Sequence, residues 1–177
     1  MRAADTILPL AMGTETSIRY AIRPTYWDGI DLVAAAPVLF GAEFALPARH
    51  GRPQMIAAGP DGAMWFTQFA GNAIGRITMD GRITEFRLPT ASAAPHGIAA
   101  GPDGAMWFTE QIGNKIGRIT MAGKVTEFEV PTPGANPAAI STGPDGAMWF
   151  TEFTGNKIGR ITMEGVVTEF AVPTAGA

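Results

Sequence analysis

His96 stands in the run Pro95-His96-Gly97-Ile98, fourteen residues ahead of Glu110. A histidine near its free pKa exchanges a proton at neutral pH, which suits a general base. Glu110 directly follows Trp-Phe-Thr; Glu152 does so again 42 residues later, and Gln68 holds the same place 42 residues earlier. Carboxylates gathered at one rim suit a hard cation such as Mg²⁺. Plainer readings stand beside these. His96 could be a solvent-facing loop residue, and Glu110 and Glu152 could pair across a hairpin with Lys115 and Lys157, a surface pairing that contributes little. His50 matches no motif and reads as surface. Two histidines in the whole chain exclude the richer histidine-based zinc sites, and the absence of cysteine excludes disulfides and thiolate metal sites. There is no Ser-His-Asp order and no phosphate loop.

The elements that must position these groups repeat every 42 residues. Gly-Pro-Asp-Gly-Ala-Met-Trp-Phe-Thr occurs unchanged at Gly59–Thr67, Gly101–Thr109 and Gly143–Thr151. Gly-Asn-x-Ile-Gly-Arg-Ile-Thr-Met follows each copy, and then Glu-Phe-x-(Leu/Val)-Pro. A fixed period of this length marks a repeat architecture. Pro60-Asp61-Gly62 has turn chemistry, Gly71-Asn72 is a second turn, and Asp80-Gly81 is a hairpin dipeptide. They separate four short strands: Ile56–Gly59, Ala63–Thr67, Ile74–Met79 and Ile83–Leu88. Adjacent Trp65 and Phe66 point to opposite faces, as a sheet buried on both sides requires. The first strand is made of small residues, fit for crowding round an axis.

The fold class is therefore all-β, a propeller of four-stranded antiparallel blades at residues 53–89, 95–131 and 137–173. Asp61, Asp103 and Asp145 read as turn residues, and Arg76, Arg118 and Arg160 as partners of carboxylates on a neighbouring strand or blade. Residues 1–42 are unassigned or a degenerate fourth blade, with a turn at Asp28-Gly29 and a strand or helix over Leu32–Phe40. Glu43–Pro47 matches the end of a repeat. Three blades do not close a ring of the usual four to eight. The arc is expected either to be a segment of a longer propeller or to join other copies end to end.

Net charge is −3, with no cluster of Lys and Arg, which excludes a nucleic-acid surface. No stretch approaches the roughly 20 apolar residues of a membrane span. Nothing at the start reads as a secretory signal, so a cytoplasmic location is the expectation.

Pro95–Glu110 followed by Gly-Asn-Lys-Ile-Gly-Arg-Ile-Thr closely resembles the repeat of the virginiamycin B lyases, also called streptogramin B lyases. The resemblance covers about three quarters of the chain. It implies a seven-bladed propeller that opens the lactone of streptogramin B antibiotics by elimination, with magnesium as cofactor and a cyclic depsipeptide as small-molecule partner. It places His96 as general base and Glu110 as a metal ligand, with Glu152 in the metal-type position of the following blade. Two matches fail: Ala94 stands where the family has a second metal-binding Glu, and Gln54 where it has a second His. A non-catalytic propeller used for binding or assembly is the alternative, favoured by those two departures and by repeats that barely differ from one another.

Overall fold

The computed structural model describes residues 43–46 and 51–173. They contain twelve strands. β1 (Pro53–Ala58), β2 (Met64–Gln68), β3 (Ala73–Ile77) and β4 (Ile83–Arg87) form one sheet in that order. β5 (Pro95–Ala100), β6 (Met106–Glu110), β7 (Lys115–Ile119) and β8 (Val125–Glu129) form the second. β9 (Pro137–Thr142), β10 (Met148–Glu152), β11 (Lys157–Ile161) and β12 (Val167–Ala171) form the third. Every pairing is antiparallel between consecutive strands. These are three propeller blades, where the repeat predicted them. The expectations for residues 1–42 lie outside the described residues.

Each blade buries two different faces. Trp65, Ile74 and Leu88 of the first pack against Ile98, Met106, Phe108 and Ile119 of the second. Trp107, Ile116 and Val130 of the second meet Met148, Phe150 and Ile161 of the third in the same way. Fully burying one such side chain is worth about 1.5–3 kcal/mol. Each Trp also stacks on a Phe of its own fourth strand, Trp107 on Phe128 at 5.7 Å between centroids. Phe44 lies against Gly81 as Phe86 lies against Gly123 and Phe128 against Gly165. Residues 44–46 thus occupy the place of a preceding blade's last strand, as Glu43–Pro47 predicts.

The innermost strands start earlier than expected, at Pro53, Pro95 and Pro137 rather than at the small residues. A bulge explains the difference. The pairing of β5 with β6 slips between Pro95 and Ile98, so the intervening backbone loses its ladder partners. A threonine hydroxyl replaces them. Gly97 N donates to Thr109 Oγ1 at 2.8 Å, and Thr109 Oγ1 donates to Ala138 O of the next blade at 2.7 Å. Thr67 does the same between Met55 N, at 3.2 Å, and His96 O, at 2.7 Å. At the far edge Thr151 accepts from Ala139 N but is itself exposed.

The Pro-Asp-Gly turn is tied to its blade by the aspartate. Asp103 Oδ1 accepts from Trp107 Nε1 at 3.1 Å, and Oδ2 from Arg118 Nε at 2.6 Å. Asp61 and Asp145 repeat the arrangement. The arginines therefore find their carboxylates within their own blade, in its first turn. Hydrogen bonds from Trp149 and Arg160 hold Asp145 down to about 2. Asp61 and Asp103 are also lowered, burial being outweighed by the corresponding Trp and Arg bonds.

Two outcomes follow. Thr109→Val strands a buried N–H, so urea unfolding should show a loss of about 1–3 kcal/mol, whereas Thr151→Val at the open edge should stay within about 0.5 kcal/mol. Depressed aspartate pKa values contribute stability that is complete above the ordinary 3.8 and is lost as pH falls through the folded value, about 2 for Asp145. Asp61→Asn/Asp103→Asn/Asp145→Asn should therefore lower the urea midpoint at neutral pH and flatten its fall below pH 3.8.

Candidate functional site

His96 is the second residue of β5, which lies between β1 and β9, the inner strands of the flanking blades. Its backbone is held from both sides of the chain. The Thr67 hydroxyl of the preceding blade binds its carbonyl. Gly97, next to it, runs so close to the Ala138 carbonyl of the following blade that a Cβ would not fit. The linker leading into it is stapled by Asn72, whose Nδ2 donates to Thr90 O at 2.9 Å while Oδ1 accepts from Ala93 N at 2.7 Å. Asn72 and Ala94 both take positive φ, 51° and 54°. The imidazole is half-buried, and its Nδ1 is enclosed with no hydrogen-bond partner.

Glu110 closes β6 at the same end of the blade, opposite Pro95 in register. It is fully buried, and so is Glu152 in the next blade, 2% exposed. The expected surface pairs of these residues with Lys115 and Lys157 do not form. Lys115 Nζ binds Glu127 and Glu129 of β8 instead, each at 3.2 Å. Lys157 Nζ binds Glu169 at 2.7 Å. The reason is the register: on this face β7 stands between β6 and β8, and its lysine has an acceptor-rich strand on its outer side. Glu127 also accepts from Thr90 N at 3.0 Å and Thr90 Oγ1 at 2.6 Å. Burial would raise Glu127, but the bonds from Thr90 and Lys115 bring it below its ordinary value.

Burial first, and then the charge of Glu127, push the Glu110 carboxyl up to about 8. Burial and Glu169 push Glu152 up to about 7. Neither carboxyl accepts a hydrogen bond at either oxygen. In the first blade Gln68 occupies this place and donates Nε2 to Glu85 Oε1 at 2.8 Å. The sequence reading missed Glu127, Glu169 and Thr90 as members of these clusters. Their signal was there: Glu127 and Glu169 are the Glu of the Glu-Phe-x-Val-Pro run, one period apart.

The resemblance implies magnesium beside Glu110, and the residues present do not fit it. Among the described residues, no three His, Cys, Asp or Glu side chains converge. Ala94 offers no ligand atom. Magnesium keeps several waters, whereas Glu110 is wholly enclosed beneath Gly113 and Ala93.

A model of the virginiamycin B lyase family matches residues 40–177. Among solved structures, virginiamycin B lyase from Staphylococcus aureus in selenomethionine form is 51% identical, with a TM-score of 0.76 over 77% of this chain and 46% of that one. A catalytically inactive variant of the Staphylococcus aureus enzyme, with quinupristin, is 49% identical with a TM-score of 0.75, over 77% of this chain and 46% of that one. A streptogramin B lyase structure is 48% identical, with a TM-score of 0.73 over 75% and 45% of the two chains. The chain thus spans less than half the length of these solved proteins. Comparison with curated proteins finds no match.

Thr67→Val should release the His96 carbonyl without touching the imidazole. The check is amide hydrogen exchange, expected to quicken across β5 near His96 more than across β9, where Thr109 still holds Ala138.

Proposed function

The chain belongs to the virginiamycin B lyase family, and we propose from that premise that it is a propeller segment serving lactone opening of streptogramin B-type cyclic depsipeptides. The observation that carries this reading is His96. It is the one imidazole among the described residues, it sits in the Pro-His-Gly-Ile run at the start of an inner strand, and its Nδ1 has no internal partner. The proposed step is elimination. His96 takes a proton from the carbon beside a carbonyl of the substrate. The electron pair of that C–H bond forms a carbon–carbon double bond as the neighbouring carbon–oxygen bond of the ester breaks. The ester oxygen leaves as carboxylate, and no water is consumed.

Completion of the ring belongs to the same proposal. The Trp149 and Phe170 face of the third blade and the Met55, Ile56 and Phe66 face of the first carry the same residue types that meet at the two internal interfaces. End-to-end association of copies would bring such faces together, subject to the angle that lets the ring close. A second reading, a binding propeller without catalysis, is favoured by Ala94, Gln54 and the lack of a three-donor cluster among the described residues.

The test is mass spectrometry of a streptogramin B incubated with the 177-residue protein. The expected product is linear and of unchanged mass, and His96→Ala should abolish it. A product heavier by one water means hydrolysis, and no product from folded protein favours the binding reading. Activity lost with EDTA would require metal ligands from outside residues 51–173. Light scattering on a sizing column reads the assembly directly: a discrete dimer or trimer supports ring completion by copies, and a monomer removes it.

A further inference from the structure

Glu110 and Glu152 are buried ionisable groups that the proposed proton transfer does not use. Their common position is filled in the first blade by Gln68, which shows what the place requires. Gln68 gives an N–H to the carboxylate of Glu85. An ionised carboxylate has nothing to give; a protonated one has a single O–H. Glu127 and Glu169, one and two periods after Glu85, are already acceptors for Thr90 and Lys115 and for Thr132 and Lys157. We infer that Glu110 and Glu152 hold their protons and donate them to Glu127 and Glu169, latching the second strand of each blade to the fourth, and that they are not metal ligands.

Three observations converge on this. All four carboxyl oxygens of Glu110 and Glu152 are enclosed without a partner, which a shared proton would relieve and a second bare charge would worsen. Glu110 lies within hydrogen-bonding reach of Glu127. The neighbouring position covaries in the way the charges require: where two acids meet, the third strand supplies Lys115 or Lys157, and where Gln68 meets one acid it supplies Ala73. The charged groups facing Glu110 are Lys115 from β7 and Glu127 and Glu129 from β8. Pro95 from β5, Ala93 from the linker and Gly113 from the turn complete its surroundings and carry no charge. Glu152 faces Lys157 from β11 and Glu169 from β12, with uncharged Pro137, Ala135 and Gly155 around it.

The sign of the pH effect follows. An acid whose folded pKa is raised stabilises the fold fully below its ordinary value of 4.5, and that contribution is lost as pH rises through about 7 for Glu152 and about 8 for Glu110. Thermal unfolding of the full chain, followed by tryptophan fluorescence from about pH 5 to about pH 9 with and without magnesium chloride, tests this. The wild-type midpoint should fall across the range. Glu110→Gln/Glu152→Gln should keep the fold and flatten that fall, and magnesium should shift neither protein. Equal pH dependence in the two proteins overturns the inference. So does a midpoint that magnesium raises in the wild type and not in the variant, which would make the pair metal ligands. Infrared spectroscopy tests it on the wild type: a protonated-carboxyl carbonyl band should be present near pH 6 and absent above about pH 9. No such band near pH 6 overturns the inference whatever the variant does. None of these outcomes depends on the lyase assay.

Discussion

A four-stranded sheet with apolar side chains on both faces cannot stand alone in water. That constraint governs every other feature of this chain. Trp65 and Trp107 are fully buried because another blade lies over them. Phe170, the counterpart of Phe86 and Phe128, is 45% exposed because no described blade follows. Each interface is written by the same residues, so the aromatic, threonine and asparagine contacts recur together. The hydroxyl bridges of Thr67 and Thr109 are the polar side of the same packing. Bulged inner strands have unpaired backbone groups, and a neighbouring blade must lie close enough to answer them.

The architecture was legible because it is written three times. Turn residues, strand faces and the small inner strand could each be read from a single period. What could not be read is what depends on the way a strand bulges. Pro53, Pro95 and Pro137 belong to the inner strands although their residues do not alternate, since side-chain hydroxyls take over from the ladder there. The candidate site was legible only in part. His96 was visible as a lone imidazole in a recognisable run. Glu110 was placed at the correct end of its strand, but its plain reading put it on the surface with a lysine. That lysine belongs to the outer strand's Glu127, and no spacing rule reveals which of two carboxylates on one face an amine will reach.

The clusters at Glu110 and Glu152 also show how a motif can carry a family's functional residue type for a different physical reason. A glutamate after Trp-Phe-Thr is a metal ligand only where other donors meet it. Here its surroundings are a second glutamate, an amine already engaged and a covering glycine turn. Gln68, in the same cradle with Glu85, makes the distinction visible within one molecule.

The near identity of the periods has a consequence for the gene. Gly59–Thr67, Gly101–Thr109 and Gly143–Thr151 are unchanged copies, so the coding DNA carries long stretches of close homology in register. Misaligned recombination between such stretches adds or removes whole periods of 42 codons and leaves the reading frame intact. At the protein level the join is silent, because every blade offers one neighbour the Trp face and the other the Phe face. Blade number can therefore drift without any interface having to be reinvented, while a residue present in one copy only, such as His96, is lost or duplicated as a unit.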